Sequence, residues 1–210
     1  MLKRAFRCEP AERGFTLIEL LVTITLIGLL LALGIPSFTA WIRNSQVRTV
    51  AEALQTGVRT AQAEAVRRNR QVVMSFTNAT PAPAASAPWP VVANGRNWWL
   101  QTVPQFGESA DFIRSGALAD IASGVTIAGT PPVGGFTAIC FNSSGRLVTN
   151  SSTTGVPGAS CAAAVSTFDV TQPNADRSLR VIVQIGGQLR ICDPKRPLLS
   201  DASPDGCPTP

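Results

Sequence analysis

The chain has 210 residues, with 18 Lys and Arg against 13 Asp and Glu, and it contains neither histidine nor tyrosine. The missing histidine removes the commonest general acid–base group, and no G-x-S-x-G, G-x-G-x-x-G or P-loop pattern supplies another chemistry. An enzyme is therefore not expected. A formal charge of +5 is moderate and marks no single class of partner.

Residues 1–14 form a short basic leader. Lys3, Arg4, Arg7 and Arg13 outnumber Glu9 and Glu12, and the positive-inside tendency holds such a segment on the cytoplasmic side. From Leu20 to Ile42 no charge interrupts an apolar run that can cross ~30 Å of hydrocarbon as one helix. An ordinary secretory signal carries a small-residue cleavage site after its apolar core. Here the small residue, Gly14, stands before the core, so a cut between Gly14 and Phe15 removes the charges and keeps the helix. Glu19 stands at the start of the helix. A carboxylate there is costly in lipid and points to a function, the alternative being that it snorkels to the headgroups.

Pro36 falls inside the run and should kink it. Beyond Arg43 apolar or small residues recur at Val47, Val50, Ala51, Leu54, Val58, Ala61 and Ala65, a period of 3.6. Arg48, Glu52, Arg59, Glu64, Arg67 and Arg68 take the other face. One helix from Phe15 to about Arg70 follows, with residues 15–42 in the membrane and 43–70 amphipathic. Arg67, Arg68 and Arg70 read either as complements to the helix dipole or as a binding patch.

Residues 71–210 have the texture of a β-rich head. Short apolar segments at Gln71–Phe76, Trp98–Val103, Val125–Ile127, Thr137–Phe141, Arg146–Thr149, Leu179–Ile185 and Gln188–Cys192 predict strands. Thr80–Pro90 reads as an exposed loop, and Gly186-Gly187 as a two-residue hairpin turn that sets Arg180 opposite Asp193. The expected fold class is α+β: a long N-terminal helix on an antiparallel sheet. Cys8 lies in the leader, which leaves Cys140, Cys161, Cys192 and Cys207. In an oxidising compartment these form two disulfides with three possible connectivities, of which Cys140–Cys161 with Cys192–Cys207 is the simplest. Without histidine or a C-x-x-C pair they make a poor metal site, so neither a metal nor another cofactor is expected.

The run Gly14-Phe15-Thr16-Leu17-Ile18-Glu19 resembles the type III signal of type IV pilins and type II secretion pseudopilins. Leu54 through Val72 is similar to the helix-to-first-strand segment of the GspH/FimT minor pilins. Asn142-Ser143-Ser144-Gly145-Arg146 resembles that family's F-x-x-x-G-R turn. Arg190-Ile191-Cys192-Asp193-Pro194, followed by Gly206-Cys207-Pro208, resembles the FimT/FimU branch. The resemblance implies a pilin-like subunit cut after Gly14 by a prepilin peptidase and methylated on Phe15. It further implies inner-membrane anchoring, a periplasmic head and assembly with other pilin subunits. Glu19 would meet the new terminal amine of a neighbour. A type IV pilus is the expected setting, with a type II secretion pseudopilus as the alternative.

A third reading is DNA capture for natural transformation. Some FimT proteins carry a C-terminal G-R-x-R motif, and here the matching positions are Gly187-Gln188-Leu189-Arg190, with Gln188 in place of the first arginine. Arg190, Lys195 and Arg196 would form a small basic tip held by a Cys192–Cys207 loop. Without the leader's four cations and two acids the formal charge falls to about +3, enough only for weak attraction to phosphate. Trp89, Trp98 and Trp99 either stack on bases or fill the core.

Overall fold

The structure is a computed structural model that describes residues 14–80, 89–104, 107–130, 137–150, 156, 158–198 and 203–208. The leader cations, Cys8 and most of the Thr80–Pro90 loop lie outside these. Residues 1–39 and 40–210 form two compact units.

Helix α1, Leu17–Arg68, begins in the first unit and runs unbroken through Pro36. Its start is capped: the Thr16 hydroxyl accepts from the Glu19 backbone N–H at 3.3 Å, the arrangement of a T-x-x-E capping sequence. The large apolar side chains described from Phe15 to Trp41 are all exposed, as suits a surface whose solvent is lipid or other helices. The C-terminal end closes on Asn69, held at φ 52°. The Arg70 N–H bonds the Ala65 carbonyl and the Asn69 N–H bonds the Val66 carbonyl, a Schellman closure.

In the second unit α1 lies against two sheets. One has the order β3-β2-β1-β5, built from β1 Val72–Thr77, β2 Asn97–Thr102, β3 Phe112–Ala117 and β5 Ala138–Phe141. The other has the order β4-β6-β7-β8-β9, from β4 Thr126–Thr130, β6 Ser166–Thr171, β7 Leu179–Val183, β8 Leu189–Pro197 and β9 Gly206–Cys207. A short helix α2, Leu118–Ile121, carries the chain from the edge of the first to the edge of the second. All pairings are antiparallel except β8 with β9, which is parallel.

All seven residues of the helical apolar stripe are buried, and they share one core with both sheets. Val72, Met74 and Phe76 of β1, Trp98 and Leu100 of β2, and Phe168, Val170, Val181 and Val183 of the second sheet complete it. Each such Val, Leu or Phe contributes ~1.5–3 kcal/mol by burial. The outer face of the first sheet is also covered. Val73, Trp99, Ala138 and Cys140 meet Trp89, Val156 and Ala159 from the flanking loops. Burial on both faces is why β1 opens on three consecutive apolar residues, Val72, Val73 and Met74, rather than on an alternation.

The strand forecast needs three corrections. Arg146–Thr149 is not a strand; only Leu147 bridges to Phe141, because the segment turns at once into the covering loop. Strands β3, β6 and the two-residue β9 had not been expected. The third concerns the last hairpin. Gln184 and Gln188 pair, so the loop holds three residues, Ile185, Gly186 and Gly187, with Gly187 at φ 86°. A three-residue loop ending in a left-handed glycine shifts the register by one residue. Arg180 therefore faces Cys192 rather than Asp193. Its guanidinium bonds Asp169 of β6 twice, at 2.6 and 2.8 Å.

Candidate functional site

The residues expected to serve processing and assembly, Gly14, Phe15 and Glu19, stand where the described part of the first unit begins. Gly14 is exposed, and a Cβ added there meets nothing within 4 Å among the described residues. Phe15 is 85% exposed. Glu19 occupies the third position of α1, where a carboxylate also complements the positive end of the helix dipole. The sequence reading assigned no role to Thr16, although T-x-x-E before an apolar run is a legible N-terminus signal.

At the far end of α1 the three arginines are engaged. Arg67 and Arg68 both bond Glu64, at 2.7 and 2.9 Å, Arg68 also bonds Asp111, and Arg70 bonds Glu108. Hydrogen bonds from Arg67, then Arg68, hold the Glu64 carboxyl below its usual value. The cluster ties the helix end to the loop between β2 and β3, so it serves as a staple.

The segments resembling family motifs meet at one point under α1. In the Phe141–Arg146 turn the Asn142 side-chain oxygen accepts from the backbone N–H of Ser144 and of Arg146, both at 3.0 Å. Gly145 sits at φ 72°. Its carbonyl accepts from Gln62 Nε2 of α1 at 2.9 Å. Gly187 closes over the same pair, and the Leu147 N–H bonds the Ile185 carbonyl between the two turns. The glycines of both motifs therefore have a packing role.

The three basic residues are each engaged by the rest of the head. Arg190 and Lys195 are five residues apart on β8, about 16 Å at ~3.3 Å per residue. Arg190 donates to the carbonyls of Pro204 and Gly206. Lys195 Nζ donates to the Asp176 carbonyl. Arg196 lies 3.5 Å from Asp205 and 3.9 Å from Asp193, which also receive Arg177 at 2.8 and 3.3 Å. Trp89, Trp98 and Trp99 are all buried, with Trp89 edge-on to Trp99 and to Phe112, and so belong to the core.

Cys140 of β5 is bonded to Cys161, and Cys192 of β8 to Cys207 of β9, closing segments with separations of 21 and 15 residues. Such loops stabilise by ~3 kcal/mol each in the chain-entropy model. The expected result for the mature protein, denatured without reductant, is that alkylation labels none of the four. Labelling of Cys140 and Cys161 in mass spectrometry would overturn the first bridge.

Comparison with known proteins agrees with this arrangement. Residues 10–35 match the prokaryotic N-terminal methylation motif, and residues 50–187 match the family described as type II transport protein GspH. A fimbrial protein of Pseudomonas aeruginosa is 27% identical over 124 residues, covering 53% of this chain and 79% of its own length. The type IV major pilin protein PilA of Myxococcus xanthus is 43% identical over 56 residues, covering 25% of this chain and 26% of its own. Among solved structures, the type IV minor pilin FimU of P. aeruginosa has a TM-score of 0.48 at 17% identity, covering 74% of this chain and 97% of its own. The minor pseudopilin EpsH of Vibrio cholerae has a TM-score of 0.46 at 12% identity, covering 72% and 99%. Since the GspH profile takes in well over half of the chain, behind a methylation motif, this chain belongs to the GspH family of minor pilins and pseudopilins, whose role is structural rather than enzymatic.

Proposed function

We propose that the chain is a structural subunit of a type IV pilus. It is anchored in the inner membrane through residues 15–42, its head lies in the periplasm, and after cleavage behind Gly14 it enters the filament or its initiating tip. The observation that carries this reading is the reach of the likeness to the P. aeruginosa fimbrial protein. It covers 53% of this chain, which takes it past the shared apolar helix and into the head. The type II secretion pseudopilus is the second reading, favoured by the description of the matching family. Deleting the gene separates them. The expected result is loss of surface pili recovered by shearing, with protein secretion unchanged; the reverse pattern selects the pseudopilin.

Within that function Glu19 sets axial register. Cleavage creates an amine on Phe15, and the carboxylate of one subunit pairs with the amine of the next. In a low-dielectric setting, losing one partner leaves the other charge uncompensated, at a cost of about 3–5 kcal/mol. Glu19→Ala and Glu19→Gln should both prevent incorporation while the head folds normally. The Thr16 cap survives in both, since it receives a backbone N–H. Normal incorporation of the glutamine variant would refute the charge pairing.

A further inference from the structure

The junction between the apolar run and the head carries a feature that pilus building does not use. Trp41 and Ile42 end the run, and Arg43 is the first charge after Glu19. The positive-inside tendency gives no reason for a cation on this flank, opposite the basic leader. Trp41 is 64% exposed, and tryptophan is enriched where a span meets the headgroups.

Folding gathers a second cation beside the first. Arg43 Nη1 donates to the Asn174 carbonyl at 3.4 Å, and Lys195 Nζ donates to the Asp176 carbonyl at 3.1 Å. Asn44 holds this turn in place by accepting from the backbone N–H of Asp176 and Arg177, at 3.0 and 3.2 Å. The other cations nearby are neutralised: Arg48 by Glu52, and Arg177 and Arg196 by Asp193 and Asp205. Arg43 and Lys195 bond carbonyls instead, so among the described residues their charge is left uncancelled apart from Asp176, whose carboxylate accepts from Asn44 Nδ2 at 3.4 Å.

We infer that Trp41, Arg43 and Lys195 form a docking rim for anionic phospholipid headgroups, which steadies the head at the membrane surface before assembly. The inference rests on the reading that residues 15–42 span the membrane. The occupant is lipid phosphate because the rim follows the apolar run directly in the chain and its surplus charge is positive. A basic residue beside an anionic surface contributes ~1 kcal/mol, about fivefold per cation.

The test uses the full chain in nanodiscs of phosphatidylcholine alone or with phosphatidylglycerol. Hydrogen exchange is followed in peptides covering residues 173–178 and 192–197. Exchange should slow about fivefold or more in the anionic discs. Arg43→Gln combined with Lys195→Gln should abolish the difference, and Asp176→Asn should enlarge it. Equal exchange in both discs, or the same protection from inorganic phosphate with phosphatidylcholine alone, overturns the inference. A chain that fails to enter the discs overturns the membrane reading as well, whereas one that enters and exchanges alike in both overturns the rim alone.

Discussion

Gly14→Val should leave the chain at its full length, held in the membrane and absent from filaments. The substitution is clean because position 14 is open: among the described residues the added Cβ meets no atom within 4 Å, so their fold has no reason to change. What changes is access to the peptide bond after it. A residue without Cβ lets the backbone approach a peptidase closely, and a branched side chain blocks that approach. Mass spectrometry of membrane-extracted protein should show a mature wild type that begins at methylated Phe15. The variant should keep its leader and present no free amine for Glu19 of a neighbour. A variant cleaved at the normal position would show that Gly14 is dispensable. A wild-type chain beginning elsewhere would undo the processing site altogether.

Gly187→Ala should destabilise the head by about 2–5 kcal/mol. At φ 86° a side chain costs ~1–2 kcal/mol in backbone strain. The new Cβ would also lie 2.1 Å from Gln62 Nε2 and 2.2 Å from the Gly145 carbonyl oxygen, an overpacking that adds ~1–3 kcal/mol. The neighbouring Gly186→Ala is the control, since nothing lies within 4 Å of its Cβ and the change should fall within ~0.5 kcal/mol. Denaturant midpoints of the two variants against wild type decide the matter. Equal midpoints would remove the clamp between α1 and the two turns. A large gap would show that the glycine of the G-x-x-R segment is kept for packing, whatever Arg190 does.

What the sequence determined by itself was what local pattern determines. The charge-free run from Leu20 to Ile42 and the 3.6-residue stripe from Val47 to Ala65 each depend on residues within a few turns of one another. The helix and its buried face followed from them. Strand β1 was legible because burial on both faces set Val72, Val73, Met74 and Phe76 close together. Strand β6 was missed: Ser166, Phe168 and Val170 alternate with Thr167, Asp169 and Thr171, but two large apolar residues make a faint signal. The tertiary structure alone decided what depends on register and on meetings across the chain. One extra loop residue at Ile185-Gly186-Gly187 moved Arg180 from Asp193 to Asp169. Arg190, Lys195 and Arg196 are neighbours in sequence and read as a basic tip, yet Asp193, Asp205 and backbone carbonyls engage them in the fold. The same folding brought Lys195 beside Arg43 from 152 positions away. Charge identity is written residue by residue, but the sum of charge at a surface depends on which side chains the register sets side by side.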